Sequence, residues 1–322
     1  MAHIIATVNM KGGVGKTTLT VNLATCLAKN HGKRVLVVDL DTQISATLSM
    51  IPPQEFSKLR KGRRTLKQLI QEVVQPTPVS QSPALESRSV LTVNDTIHPY
   101  VATVKGLDLL PGDIDLYDDF LISRTLHHKT VRDAHDNFEQ AWNTLEQQLL
   151  HEILKPVIKD YDFIILDCAP GYNLLTRSAL VSSDFYLLPA RPEPLSLIGI
   201  QLLERRIEKL REAHQELGHA IKIKLLGVVF TLSGNLITGR YYQQVMRRVT
   251  EEFTTDKIFG TRIPVDVSVS KAVDGFTPVV ISNPQSAGAR AFTKLGQEFL
   301  AKMATATGER RSPTKVDFQD FE

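Results

Sequence analysis

Six short apolar segments along the chain have the character of buried β-strands. They are rich in Val, Ile, Leu and Phe, and several are followed directly by Asp, Gly or Pro. Continuous apolar runs of this length are typical of strands that are covered on both faces, as in parallel sheets. The six segments are residues 4–8, 35–38, 107–110, 163–166, 185–188 and 225–230.

Apolar residues at spacings of three and four predict helices between these segments. The predicted helices are residues 17–29, 131–158, 197–218 and 287–303. Strands that alternate with helices favour parallel pairing through helical crossovers. The predicted fold class is therefore α/β, with a doubly wound, mainly parallel sheet flanked by helices.

Residues 51–104 interrupt this alternation. The stretch opens on two prolines, continues through a cluster of basic residues, and contains a segment rich in Pro, Ser and Gln at residues 75–89. Such composition without periodicity predicts a mobile surface loop. We expect a single domain over residues 1–306 with a long, partly mobile insertion at about residues 51–104, and a polar tail over residues 307–322.

Composition narrows the class of protein. Hydrophobic residues make up 42% of the chain and charged residues 23%, which is typical of a globular protein and excludes wholesale disorder. No apolar run reaches the roughly 18 residues of a membrane span, and the first residues do not resemble a signal peptide, so we expect a cytoplasmic protein. Two cysteines, Cys26 and Cys168, are too few for a disulfide framework or a multi-cysteine zinc site.

A glycine-rich stretch between the first strand and the first helix predicts a phosphate-binding loop. Glycines let backbone N–H groups approach phosphate oxygens, and the positive end of the following helix favours the same anion. In this setting Lys16 supplies a positive charge to the β- and γ-phosphates, Thr17 a hydroxyl ligand for Mg²⁺, and Thr18 a further donor. The predicted cofactors are therefore ATP and Mg²⁺. The stretch reads Asn9-Met-Lys-Gly-Gly-Val-Gly-Lys-Thr-Thr18.

The loop departs from the general phosphate-loop pattern in a characteristic way. The first glycine of the pattern is replaced by Met10, and a second lysine, Lys11, follows it. The sequence of residues 11–18 resembles the deviant Walker A loop of the ParA/MinD family of P-loop ATPases. That resemblance implies a slow, partner-stimulated ATPase that forms a homodimer around ATP, with Lys11 reaching the phosphates of the partner's ATP. It also implies that the nucleotide is bound by Lys11, Gly12, Gly13, Val14, Gly15, Lys16, Thr17 and Thr18.

Two aspartates follow the second strand at the edge of the sheet where parallel strands end and ligands bind. Asp39 and Asp41 are two residues apart, so their side chains share a face. The family pattern Asp-x-Asp-Pro-Gln has Thr42 in place of proline here. The resemblance implies that these carboxylates position the attacking water and the hydration shell of Mg²⁺. We predict catalytic roles for both, with Asp41 positioning the water and Asp39 also a metal ligand.

Asp167 ends the fourth strand in the arrangement of a Walker B carboxylate, which predicts a third contact with Mg²⁺. The family motif Asp-x-Pro-Pro has Ala169 at one proline, and Gly171 follows as a backbone donor and hinge. We predict that residues 167–175 sense the γ-phosphate. Cys168 is expected to be a small core residue rather than a catalytic thiol, because no histidine is near it in the sequence.

Further matches lie near the end of the chain. Ile263-Pro264 begins a pattern that continues through Ser270-Lys-Ala272 and Gly275 to Pro278, as in the family. By resemblance, the loop of residues 263–267 packs against adenine, with Pro264 in contact with the nucleotide. Val265-Asp266 replaces the family's arginine-bearing continuation.

Basic clusters are candidates for a DNA surface. The net charge of +3 indicates no partner, so contact with nucleic acid must be local. Arg240, Arg247 and Arg248 are spaced to share a helical face and are predicted to contact DNA without sequence preference. A second cluster contains Lys58, Arg60, Lys61, Arg63, Arg64 and Lys67. Either set is also compatible with an ordinary solvated charge run.

Three functions remain open at this stage. A partition or positioning ATPase binds DNA nonspecifically as an ATP dimer, associates with the nucleoid, and is released when a cargo-linked adaptor stimulates hydrolysis; its cargo is a plasmid, a chromosome region or a compartment such as a carboxysome. A MinD-like membrane regulator needs a basic amphipathic terminus, whereas the last seven residues here include three acids. A metabolic relative, such as an iron–sulfur reductase or a cobyrinate-type amide ligase, needs cysteines that bind a cluster or act as nucleophiles. The positions of Cys26 and Cys168 fit these roles badly. We therefore expect no membrane partner.

Overall fold

A computed structural model describes residues 1–75, 91–116, 118–132, 137–232, 247–249 and 254–308. Within these residues, six strands form one sheet in the order β3-β2-β4-β1-β5-β6. Every strand pair in it is parallel. The strands are β1 His3–Thr7, β2 Val35–Asp39, β3 Leu107–Leu110, β4 Phe163–Asp167, β5 Phe185–Ala190 and β6 Lys224–Phe230. All six predicted strands are confirmed, and so is the doubly wound α/β class.

Helices connect the strands and cover both faces of the sheet. They are α1 Lys16–His31, α2 Ser45–Leu48, α3 Pro53–Lys61, α4 Leu66–Val74, α5 Val93–Thr96, α6 Asp119–Arg132, α7 Phe138–Leu154, α8 Leu174–Ser182, α9 Pro194–Glu216, α10 Val267–Asp274, α11 Val279–Ser282 and α12 Ala287–Thr307. Two short 3₁₀ turns, Val101–Thr103 and Thr255–Lys257, complete the described elements.

The predicted helix of residues 131–158 is wrong at its start. α6 extends to Arg132, and α7 begins only at Phe138, where the Asn137 side chain accepts a hydrogen bond from the N–H of Gln140. A side-chain cap of this kind satisfies a donor at a helix start and so marks a new helix. The predicted mobile loop, residues 75–89, lies outside the described residues except for Gln75, and so does the tail from residue 309.

Alternate side chains of the strands point into two separate hydrophobic cores, one on each face of the sheet. Ile4 and Ala6 of β1 face a core closed by α4, α7, α8 and α9. Ile5 faces the opposite core, which is closed by α1, α3 and α12. Because successive residues of a strand point to opposite faces, a sheet covered on both sides requires apolar residues at every position. This requirement explains the unbroken apolar runs in the sequence.

The strand order brings the carboxyl ends of β1, β2 and β4 together. Thr7 lies beside Asp167 in the register of β1 and β4, and Asp39 lies beside Asp167 in the register of β2 and β4. The central position of β4 therefore places its last residue between the ends of two neighbours. No helix in the described part of the chain has the length and apolar character needed to cross a membrane.

Candidate functional site

The loop between β1 and α1 is shaped by glycines with positive φ. Gly13 has a φ of 70° and Gly15 a φ of 81°, in the left-handed region that strains residues with side chains. Thr231, directly after β6, donates its hydroxyl hydrogen to the carbonyl oxygen of Val14 at 2.7 Å. The loop is thus bound to the far strand of the sheet by a residue that the sequence did not single out.

Asn9 anchors the same loop to β5. Its Nδ2 donates to the carbonyl oxygen of Pro189 at 2.8 Å, and its Oδ1 accepts the backbone N–H of Lys11 at 2.9 Å. Asn9 is 3% exposed, so its amide is a buried polar group with both ends satisfied. Asn9 and Thr231 thus fix the backbone of the loop to β5 and to the end of β6.

Lys16 closes the inner side of the loop. Its Nζ donates to the carbonyl oxygen of Lys11 at 3.0 Å, and the residue is 6% exposed. Burial lowers the pKa of Lys16, and the carboxylate of Asp167 opposes that shift. A buried ammonium with few solvent contacts gains strongly from an incoming phosphate.

The Asp167 carboxylate accepts hydrogen bonds from two hydroxyl groups of α1. Thr17 Oγ1 donates to Oδ2 at 2.7 Å, and Thr20 Oγ1 donates to Oδ1 at 3.1 Å. Thr20 was not predicted, although its spacing of three from Thr17 places both on one helix face. Burial raises the pKa of Asp167 to about 8, and the nearby carboxylate of Asp39 adds to this rise, while the two hydroxyls oppose it. The structure thus brings together Thr17 and Asp167, two of the residues predicted to bind Mg²⁺.

The carboxylate of Asp39 bonds to the loop that follows β2 and not to Thr17. Its Oδ2 accepts the backbone N–H of Thr47 at 2.8 Å and the Thr47 hydroxyl at 2.7 Å, and its Oδ1 accepts the backbone N–H of Asp41 at 3.2 Å. Burial raises the pKa of this fully enclosed carboxyl to about 6. Both oxygens thus hold the loop after β2, and the catalytic and metal-binding roles of Asp39 stay predictions.

The enclosure of Asp39 extends to the neighbouring strand β3. Gly112 donates its N–H to Thr47 Oγ1 at 3.1 Å, and a Cβ at Gly112 would lie 2.9 Å from the carbonyl oxygen of Asp39. Only glycine fits this approach. Asp39, Thr47 and Gly112 form a packed junction beneath the site.

Asp41 lies on the side of the phosphate loop. It is 8% exposed, and its Oδ1 accepts the backbone N–H of Gln43 at 3.0 Å. Burial lowers the pKa of Lys16 and raises the pKa of Cys168, and the charge of Asp41 makes a smaller upward contribution to both, so its carboxylate lies near these two residues. Of the two predicted aspartates, the structure brings Asp41 to the site.

Lys11 forms an ion pair within its own chain. Its Nζ lies 2.9 Å from Oε2 of Glu193, which immediately precedes α9. Arg191 lies 3.5 Å from the other oxygen of Glu193. The hydrogen bond from Lys11 is the main cause that lowers the pKa of Glu193. Glu193 was not predicted as a partner, because 182 residues separate it from Lys11.

The loop after β4 lies over the phosphate loop. A Cβ at Gly12 would lie 3.8 Å from Cγ of Pro170, and Gly171 has a φ of 99°. Cys168 is 1% exposed, and burial raises the pKa of its thiol far above the ordinary range. Cys168 is thus the core residue that its sequence position suggested.

The segment that contains Pro264 begins beside the end of β6. The N–H of Ile263 donates to the carbonyl oxygen of Phe230 at 2.8 Å, one residue before Thr231. Asp266 has a structural role, since it accepts the N–H groups of Ser268 at 2.8 Å and Gly288 at 2.7 Å. The contact of this loop with adenine stays a prediction.

The cluster of cations at residues 58–67 is partly neutralised. Arg60 lies 3.2 Å from Asp113 and 2.6 Å from Asp115, and Lys67 lies 3.5 Å from Asp115. Arg64 donates to the carbonyl oxygen of Asp95 at 2.6 Å. Lys58, Lys61 and Arg63 remain exposed.

The other predicted DNA contacts are only partly described. Arg247 and Arg248 are exposed, and Arg240 lies outside the described residues. Their contact with DNA is not tested by the geometry of the chain and stays a prediction.

Comparison with known proteins agrees with this architecture. Residues 2–223 match the family described as "AAA domain". The chain is 31% identical over 302 residues to the sporulation initiation inhibitor protein Soj of Bacillus subtilis, an alignment that covers 94% of this chain and 99% of Soj. It is 30% identical over 304 residues to the chromosome-partitioning ATPase Soj of Treponema pallidum, covering 94% of this chain and 98% of that protein.

A solved structure shares the fold over nearly the whole length. The ATP complex of a Cyanothece McdA variant matches with a TM-score of 0.65 at 18% identity, covering 93% of this chain and 96% of that chain. The sequence relatives, the six-stranded parallel sheet and the phosphate loop agree with one another. The chain belongs to the ParA/MinD family of P-loop ATPases.

Proposed function

We propose that this protein is a partition or positioning ATPase, which dimerises around ATP·Mg²⁺, binds DNA nonspecifically, and leaves DNA when an adaptor stimulates hydrolysis. The observation that carries the proposal is the juxtaposition of Lys11, Lys16, Asp41 and Asp167 around one preformed phosphate loop. Two relatives that are 31% and 30% identical to this chain are Soj proteins, and one of them is named a chromosome-partitioning ATPase.

Nucleotide binding follows from the donors of the phosphate loop. Residues 12–15 present backbone N–H groups, and Lys16 provides the buried charge for the β- and γ-phosphates. Mg²⁺ prefers oxygen ligands and is held in nucleotide sites by a few protein oxygens together with phosphate oxygens and water. The Thr17 hydroxyl and the Asp167 carboxylate, 2.7 Å apart, fit that donor set. When bound, the ion neutralises charge on the transferred phosphoryl group.

Hydrolysis needs a group that orients the attacking water. Asp41 is the carboxylate at the phosphate side of the β2 edge, whereas Asp39 is enclosed by Thr47 and the Asp41 amide. Water orientation by a fixed carboxylate is a recurring contribution to phosphoryl transfer. We assign this role to Asp41.

Dimerisation would complete the site through Lys11. A second cation near the γ-phosphate stabilises negative charge that develops during phosphoryl transfer. Lys11 is 44% exposed at its side chain, so it can leave Glu193 for an anion presented by another protomer. In this proposal ATP acts as a switch, because neither protomer has a complete site alone.

Nonspecific DNA binding is assigned to the exposed cations at residues 247 and 248 together with Arg240, with Lys58, Lys61 and Arg63 as the alternative surface. Lysine and arginine that neutralise phosphates release counterions, so binding of this kind is sequence-independent and falls steeply with salt. An adaptor linked to the cargo would then set the lifetime of the bound dimer. The cargo is a plasmid, a chromosome region or a protein compartment.

The two cysteines disfavour the iron–sulfur alternative. Cys26 is 0% exposed and Cys168 is 1% exposed, and they belong to cores on opposite faces of the sheet. A cluster shared by two subunits needs accessible thiolates on one surface of each chain. Neither thiol meets that condition.

DNA binding measured with no nucleotide, ADP and ATP tests the proposal. We expect salt-sensitive binding of random-sequence duplex DNA with ATP only, and none for Lys16→Ala under any condition. A parallel flotation assay with vesicles of anionic phospholipid should show no binding. Equal DNA affinity in all three nucleotide states, or ATP-dependent binding to vesicles instead of DNA, would overturn the partition function in favour of the other two alternatives.

A further inference from the structure

The loop of residues 168–173, which we call the β4–α8 loop, lies between the Walker B carboxylate and α8. Pro170 packs near Gly12 of the phosphate loop, and Gly171, with a φ of 99°, allows a sharp change of direction directly afterwards. The next residue, Tyr172, therefore stands at the point where the loop leaves the nucleotide site. Its contacts determine where the loop can rest.

Tyr172 is held between two guanidinium groups. The Cζ atom of Arg177 lies 5.5 Å from the centre of its ring, and that of Arg206 lies 5.0 Å from it. The Tyr172 hydroxyl also donates to the carbonyl oxygen of Arg206 at 3.1 Å. A cation within about 6 Å of an aromatic face is attracted by the ring quadrupole. The side chain thus contacts one cation from α8 and one from α9.

Arg177, the cation on α8, is itself fixed to the core. Nη2 of Arg177 donates to the Glu146 carboxylate at 2.9 Å, and that carboxylate is 0% exposed. Trp142 donates its Nε1–H to the same carboxylate at 2.6 Å. A buried carboxylate that accepts hydrogen bonds from two side chains is hard to displace. Arg206, in contrast, is exposed on α9.

We propose that Tyr172 is a positioning residue for ATP hydrolysis. Its contacts with Arg177 and Arg206, which we call the clamp, fix the position of the β4–α8 loop and so determine how the loop responds to the terminal phosphate. It touches no reacting atom and acts through Pro170 and Gly171. The inference rests on the proposed binding of ATP, and it adds that α9 is connected to the site at two places. One is Glu193 at its start, and the other is Arg206, about 20 Å further along at 1.5 Å per residue.

Four variants distinguish a role of Tyr172 in positioning the β4–α8 loop from a role in the stability of the fold alone. Tyr172→Leu removes the ring and the hydroxyl while keeping a shorter apolar side chain, and Tyr172→Phe keeps the ring and loses only the hydroxyl. Arg206→Met removes one guanidinium of the clamp, and Arg205→Met, on the adjacent exposed position, is its matched control. Each is compared in the full chain for ATP and ADP affinity with fluorescent nucleotides, and for turnover.

The clamp predicts a selective defect. Tyr172→Leu should weaken ATP binding about three- to tenfold and lower turnover by a similar factor, with ADP affinity within about twofold of wild type, because ADP lacks the phosphate that the loop senses. Arg206→Met should show a smaller defect of the same kind, and Tyr172→Phe should restore most of both properties. Arg205→Met should match wild type. Equal weakening of ATP and ADP, or no effect of either Tyr172→Leu or Arg206→Met, would overturn the clamp.

Amide hydrogen exchange provides a readout that needs no nucleotide. In nucleotide-free protein, Tyr172→Leu and Arg206→Met should raise exchange about threefold or more in peptides that cover residues 168–173, and Arg205→Met should not. Unchanged exchange there contradicts the clamp. Wild-type protein that binds no ATP contradicts the proposed function instead, so the two failures are distinguishable. If Tyr172→Leu does not fold, the surface variant Arg206→Met still decides the question.

Discussion

Lys11 and Glu193 form an ion pair beside the phosphate loop, with Nζ 2.9 Å from Oε2. In the proposed dimer Lys11 must leave this partner to reach a phosphate of the other protomer. Arg191 stays beside Glu193 when Lys11 leaves, so the carboxylate is not left without a cation. Exposed ion pairs contribute about 0–1 kcal/mol. We therefore expect the pair to adjust the ATP concentration at which the proposed dimer forms rather than to prevent dimerisation.

Glu193→Gln should favour the dimer. Loss of the competing carboxylate should lower the ATP concentration for half-maximal dimerisation about two- to fivefold, the equivalent of up to ~1 kcal/mol. Sedimentation velocity across an ATP titration measures this midpoint. The control is the Lys11→Ala background, in which adding Glu193→Gln should have no effect on association. An identical shift in both backgrounds would mean that Glu193 acts on the dimer without Lys11.

Lys16→Ala should abolish nucleotide binding. Lys16 is the buried ammonium of the loop, and its loss removes the positive charge that faces the β- and γ-phosphates, so we expect about a hundredfold or greater weakening of ATP binding by calorimetry. The melting temperature without nucleotide should not fall, because burial of this charge already opposes its protonated form. ATP affinity close to wild type would place the phosphates elsewhere.

Asp41→Ala and Asp39→Asn should behave differently although the two residues are neighbours. Asp41→Ala should bind ATP, hydrolyse it about a hundredfold more slowly, and accumulate as a dimer, because the water loses its positioning carboxylate. Asp39→Asn keeps an oxygen acceptor for Thr47 and should retain turnover within about threefold. Single-turnover hydrolysis combined with size-exclusion chromatography in ATP distinguishes them. The opposite order of effects would assign the water to Asp39.

The enclosed carboxyl of Asp39 also predicts a pH dependence of stability. Its pKa is raised to about 6 in the folded protein, against roughly 3.9 in an unfolded chain, so the folded state prefers the protonated form. This contribution to the free energy of unfolding is fully present below about pH 4 and is lost as the pH rises through about 6. Asp39→Asn cannot ionise, so its stability should fall less across this pH range. Urea denaturation of nucleotide-free protein measures both slopes, and parallel curves would contradict the assignment.

Reversal of charge at Arg247 and Arg248 should weaken DNA binding. The double change to Glu should reduce affinity about tenfold or more and lower the slope of log affinity against log salt, while ATP turnover without DNA stays the same. A matched variant, Lys58→Glu with Lys61→Glu, changes the same number of exposed cations on α3. If only the α3 variant loses DNA binding in salt-titrated gel shifts, the DNA surface lies there.

Much of the fold was predictable because its signals are local. Strands covered on both faces need apolar residues at each position, and glycines mark the turns with positive φ, so the six strands and the phosphate loop can be found from runs of a few residues. The break between α6 and α7 was missed because apolar spacing continues past it, and only the cap at Asn137 reveals the new helix.

The pairing of side chains was decided by tertiary structure. Sequence spacing places Asp39 and Asp41 on one face, yet the close approach of β3 at Gly112 and the contact with Thr47 enclose the first and leave the second beside Lys16. The partner of Lys11 lies 182 residues away, and strand order alone brings it there. Sequence by itself thus determined which chemical groups line the edge of the sheet, because backbone conformation depends on near neighbours. Which of those groups meet was decided by the order in which distant strands pack.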